Sequence, residues 1–108
     1  MLFVIALSLA ASYGSYSALG EGNSNCGQWI DSRRATPNRV IPESAWILGY
    51  ITAASQFEAQ AHPEINLTAG LTGNAVDHWT DNYCAVHPLD SITEASYALL
   101  KELRARRR

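Results

Sequence analysis

The stretch PESAWILGYITAASQFEAQA (residues 42–61) decides the fold. It opens on a proline, which suits the first position of a helix because its missing N–H would have no partner there. It runs to Ala61 and stops before His62-Pro63, since the residue ahead of a proline is pushed out of helical geometry. Trp46, Tyr50, Ala53 and Phe57 form one stripe at helical spacing, and Ile47, Ile51 and Ala54 form the neighbouring one. So wide an apolar face predicts the central, most buried helix of the fold. Gly49 weakens that helix by about 1 kcal/mol relative to Ala. A close approach of another backbone or of a bulky ring is therefore expected at Gly49.

Working outward, the N-terminal side predicts a short helix from about Cys26 to Arg33, capped by Ser24 or Asn25, with Trp29 and Ile30 as its apolar content. The loop ATPNRVIP, punctuated by Pro37 and Pro42, leads into the long helix. On the C-terminal side, residues 63–72 form a loop. Thr72 can cap a third helix that runs to about Val86, buries Val76, Trp79 and Tyr83, and ends at Pro88. A fourth helix starts at the capping box Ser91-Ile92-Thr93-Glu94. Leu89, Ile92, Ser96, Leu99 and Leu103 follow three-four spacing, widened by Ala95. No segment alternates convincingly as a strand would. The expected class is all-α, a small bundle of three long helices and one short one.

Ahead of the bundle, LFVIALSLAA (residues 2–11) is an uncharged apolar run that fits a signal-peptide core. It falls short of the roughly 20 residues a membrane span needs. No Lys or Arg precedes it, and every charged residue lies beyond position 20. Small residues at Ala18 and Gly20 predict cleavage before Glu21, with Ser15-Tyr16-Ser17 as a second option. Residues 1–20 then read as a signal peptide and 21–108 as a single helical domain with a basic C-terminal tail. Export to a periplasmic or secreted location would expose the two cysteines, Cys26 and Cys84, to an oxidising compartment, where they should close into one disulfide. A loop of that length is worth about 4 kcal/mol on the chain-entropy argument.

The formal net charge is −2, unevenly spread. Lys101, Arg104, Arg106, Arg107 and Arg108 oppose only Glu102 at the C-terminus, so the rest of the chain is acidic. Cations at a helix C-terminus complement its dipole, and no aromatic residues interleave with these arginines as a single-strand binder would want. Nucleic acid is not an expected partner, and no membrane span is expected in the mature form.

Catalytic motifs are missing from the sequence. The histidines His62, His78 and His87 lack helical metal-site spacing, no G-x-S-x-G occurs, and the cysteines are too far apart for a redox pair. His78 among Asp77, Asp81 and Asn82 reads as a solvated polar face. The expectation is a protein with no enzymatic activity, no cofactor and no catalytic or metal residues. Trp29, Trp46, Tyr50, Trp79 and Tyr83 are core candidates that double as partner-binding candidates, because Trp and Tyr anchor interfaces.

Three segments carry a resemblance: Cys26-Gly27-Gln28-Trp29-Ile30, Trp46-Ile47-Leu48-Gly49-Tyr50-Ile51, and Asn82-Tyr83-Cys84-Ala85-Val86-His87-Pro88 followed by Ser91-Ile92 and Ala95. Their order resembles the HdeA/HdeB-like family of small periplasmic acid-stress chaperones, in which two cysteines clamp a helical bundle. It is also similar to the Rap/Tai immunity proteins of type VI secretion. The resemblance covers roughly Cys26 to Leu103 and implies a disulfide at Cys26 and Cys84 and a binding role. That role is either an acid-triggered hold on unfolded clients or, alternatively, neutralisation of one secreted toxin or other folded partner. The few lysines, the loop at residues 63–72 and the Arg-only tail depart from the chaperones. Neither family supplies a catalytic residue.

Overall fold

The computed structural model describes residues 15–35, 38 and 40–107. The apolar leader core at residues 2–11, Pro37 of the first loop and Arg108 of the basic tail lie outside them. A 3-10 turn at Gly20–Asn23 leads into four helices: α1 Cys26–Arg34, α2 Ile41–Ala61, α3 Gly73–Val86 and α4 Ile92–Arg106. No strand occurs among the described residues, and the class is an all-α bundle.

The helix starts follow from local chemistry. Asn25 caps α1 by accepting from the Gln28 N–H at 2.9 Å, and Gln28 returns the bond to the Asn25 N–H at 3.0 Å. Ser91 and Glu94 make the same reciprocal box on α4, and the Thr72 hydroxyl accepts from Ala75 at the start of α3. The two boxed starts lie side by side. The Cys26 N–H donates to the Asp90 carbonyl and the Ile92 N–H donates to the Ser24 carbonyl, both at 2.8 Å. Each helix thus leaves an orphan N–H that the chain ahead of the other helix satisfies. The Cys26–Cys84 disulfide, with Cα atoms 4.9 Å apart, then fastens the start of α1 to α3.

The core is centred on α4, not on α2. Ile92, Ala95, Ser96, Leu99, Leu100 and Leu103 are buried at three-four spacing. They pack with Ile47 and Ile51 of α2, Val76 and Cys84 of α3, and Trp29 of α1. On α2 the inward stripe is Glu43, Ile47, Ile51 and Ser55. The stripe expected beside it is only part-buried at Trp46 and Tyr50 and lies open at Ala53 and Phe57, the latter 76 % exposed. Among the described residues three helices remain to cover α2, and its second apolar stripe lies open beyond its first two turns. Gly49 is exposed, and a Cβ there would meet nothing within 4 Å. The expected close approach occurs instead at Gly22, where a Cβ would run into the Trp46 ring and come within 2.8 Å of the Thr93 hydroxyl. Leu89 precedes α4 and points to solvent at 93 % exposure, because the α4 stripe begins only at Ile92.

On α3 the fully buried residues are Val76, Thr80 and Cys84, one turn apart, while Trp79 and Tyr83 are half-buried beside them. Burying Thr80 and Ser96 leaves no polar loss, since each hydroxyl donates to the carbonyl four residues back at 2.8 Å. The α3 face with Asp77, His78 and Asp81 is not simply solvated. His78 is exposed, but Asp77 accepts from the Ser44 hydroxyl of α2 at 2.6 Å. Asp81 accepts from Trp29 and Arg33 of α1.

Candidate binding site

The chain ahead of the 3-10 turn lies beside the first half of α2 and the start of α4. A cavity of about 720 Å³ lies there. Trp46 and Tyr50 enter it from α2, Tyr83 from α3 and Tyr97 from α4, with Tyr16 and Leu19 along its mouth. Helical spacing builds each wall. Trp46 and Tyr50, four residues apart, stack with centroids 5.6 Å apart. On α3, Trp79, Tyr83 and His87 form a three-ring ladder with centroids 5.2 and 4.4 Å apart.

Both half-buried tyrosines are held in the neutral phenol form, and Tyr83 donates a hydrogen bond. Burial, with Tyr16 and Tyr97 nearby, raises the Tyr50 phenol above its ordinary value. Burial and the hydrogen bond to Asp90 push Tyr83 up to about 12. Asp90 accepts that phenol hydrogen bond on Oδ2 and also lies 3.9 Å from His87 Nδ1. Glu94, one turn further along, uses Oε1 for the α4 cap. Lys101 stands over the Tyr97 ring at 5.1 Å from its centroid.

The five aromatic candidates from the sequence separate into three environments. Trp46, Tyr50 and Tyr83 meet in the cavity. Trp79 packs beside the core and donates from Nε1 to Glu102 at 3.1 Å. Trp29 is 0 % exposed, so the folded molecule offers none of it to a partner. Tyr97, Asp90, Glu94 and Lys101 line the same cavity and were not among the binding candidates from the sequence. A signal for them exists: positions 90, 94, 97 and 101 repeat at three-four spacing, the last three on the side of α4 away from Leu99 and Leu103.

Among the described residues, no three of His, Cys, Asp and Glu gather as metal ligands would. None of the described helices is long and apolar enough to cross a membrane. The chain's own chemistry at the cavity is therefore aromatic contact, phenol and indole hydrogen bonding, and one acidic end. Comparison with protein-family models, with curated proteins and with solved structures returns no match.

Proposed function

We propose that this chain is a non-enzymatic, exported binding protein of HdeA-like type, which holds unfolded clients when acid loosens its bundle. The observation that supports this reading is where the bundle's cross-ties end. The side-chain hydrogen bonds joining one helix to another all terminate on a carboxylate among the described residues. Trp29 and Arg33 bind Asp81, and Ser32 binds Glu43. Ser44 binds Asp77, Trp79 binds Glu102 and Arg104 binds Glu58. Charge-assisted bonds of this kind are about twice as strong as neutral ones, an advantage that acid strong enough to neutralise carboxylates removes. With carboxylates neutral, the eight Lys and Arg residues and three protonated His leave a charge near +11, which also drives expansion.

Acid would thus loosen the helices while the disulfide keeps the ends of α1 and α3 joined, so the opened state stays compact and can close again. The apolar surface freed is the aromatic set that includes Trp29 and Trp79. The test is light scattering of an aggregating client at about pH 2–3, with and without the oxidised protein. Suppression of scattering together with loss of near-ultraviolet circular dichroism is expected. A bundle still fully folded at that pH, or no suppression, would sink the proposal.

A second reading, an immunity or inhibitor protein with one folded partner, draws support from the cavity, which is already formed in the folded state. Native co-purification of one stoichiometric protein at neutral pH, with no scattering suppression in acid, would select it.

A further inference from the structure

We propose that the cavity between α2 and α4 is a peptide-binding site, and that its occupant is an extended partner segment carrying an Arg or Lys side chain beside an apolar one. The inference concerns the folded molecule at neutral pH and does not depend on acid opening. Three observations carry it.

The first is size and surface. At about 720 Å³ the cavity lies within the range of ligand sites. Its walls are the rings of Trp46, Tyr50, Tyr83 and Tyr97. The second is charge. Asp90 and Glu94 stand at one end, and Lys101 lies about two helical turns further along α4. Tyr83 and the α4 cap occupy Oδ2 of Asp90 and Oε1 of Glu94. Among the described residues, Oδ1 of Asp90 and Oε2 of Glu94 accept no hydrogen bond. Two carboxylates outweigh the roughly +0.5 charge of the α4 N-terminus, so this end attracts a cation. Aromatic faces beside it favour the same charge, as Lys101 over Tyr97 already demonstrates.

The third observation is what the cavity rim already binds. The chain ahead of the 3-10 turn is extended, with Leu19 at φ −106° and ψ 149°. The Leu19 carbonyl accepts from Trp46 Nε1 at 2.8 Å. The indole N–H therefore already engages extended backbone. The segment itself leaves Tyr16 and Leu19 73 % and 78 % exposed, and cleavage before Glu21 on export would remove it and free the Trp46 indole N–H for a partner's backbone. A second extended strand carrying a cation would find apolar contact along the rings and an ion pair at Asp90 and Glu94.

The experiment uses the oxidised protein as exported, 15N-labelled, at pH 7. It is titrated with acetyl-Ala-Phe-Arg-Leu-amide and, separately, with the same peptide bearing Glu in place of Arg. Saturable shifts of the Trp46 indole N–H with the Arg peptide are expected, with the Glu peptide at least about fivefold weaker. Glu94→Gln keeps the α4 cap, because Gln serves at that position, and should weaken the Arg peptide about two- to fivefold. Lys101→Glu should tighten it. Equal binding of the two peptides, no saturable shift at Trp46, or unchanged affinity in Glu94→Gln would each overturn the assignment. A concentration-dependent shift of the same indole with no peptide present would overturn it too, by making a second copy's Arg106-Arg107 end the occupant.

Discussion

Asp81 is the most connected polar side chain among the described residues, and removing it should cost more than removing an ordinary surface carboxylate. It accepts from Trp29 Nε1 at 2.8 Å, from Arg33 Nε at 2.8 Å and from the Arg33 terminal nitrogen at 2.7 Å. In Asp81→Ala the indole N–H of a fully buried ring loses its acceptor, a cost of about 1–3 kcal/mol. The ion pair adds less, about 0.2–1 kcal/mol, because both side chains are a quarter to a third exposed. The sum, about 1–4 kcal/mol at pH 7, is a sizeable share of the roughly 5–15 kcal/mol typical of a domain. It should lower Tm by about 5–30 °C at this size. Asp81→Asn keeps an oxygen for the indole and loses only the charge, so about 1 kcal/mol is expected.

The pH dependence gives the sharper test. Burial pushes the Asp81 carboxyl up, but the hydrogen bonds from Arg33 and Trp29, with the charge of Arg33, outweigh it and hold the group below the ordinary value. A depressed folded value means that the contribution is fully present above the unfolded value, about 3.9. It is lost as pH falls through the lower folded value. The gap between wild type and Asp81→Asn should therefore stay constant from pH 7 to about pH 5 and close in acid. Urea unfolding followed by tryptophan fluorescence measures it at each pH. A gap that persists unchanged into acid, or an Asp81→Ala protein as stable as wild type at pH 7, would refute the reasoning.

Replacing Cys26 with Ser opens a disulfide whose ends are 58 residues apart and should cost about 4 kcal/mol. Melts with and without reductant check it, wild type in reductant matching the variant. Gly22→Ala places a methyl group against the Trp46 ring and should destabilise by about 1–3 kcal/mol. Gly49→Ala, with open space around it, should stabilise by about 1 kcal/mol; chemical denaturation of the pair separates the two glycines. In an ultraviolet titration, Tyr83→Phe should remove a phenol that ionises near pH 12.

The helices were legible because their signals are local. Pro42, Thr72 and the Ser91–Glu94 box each act within one turn of the residues they organise, and the structure starts its helices there. The Cys26–Cys84 bond was legible for a different reason: with two cysteines there is one possible pairing, and only the compartment had to be inferred. What the chain alone did not reveal is which stripe of α2 is covered. Trp46–Phe57 and Ile47–Ala54 are about equally apolar, and the choice between them depends on where α4 lies, a contact between residues some 50 positions apart. The same long-range placement turned Asp77 and Asp81 from a solvated face into ties between helices. It also moved the tight glycine from Gly49, where helix propensity drew attention, to Gly22, where a ring from another element comes to rest. The cavity is the consequence of that choice. Because α4 covers the Ile47–Ile51 stripe, Trp46 and Tyr50 are left half-covered, facing Tyr97 and the two carboxylates at the head of α4. A substitution that enlarges the covered stripe, such as Ser55→Leu, should therefore disturb the core without touching the cavity. Tyr50→Ala should do the reverse, sparing most of the stability while removing one wall of the binding site.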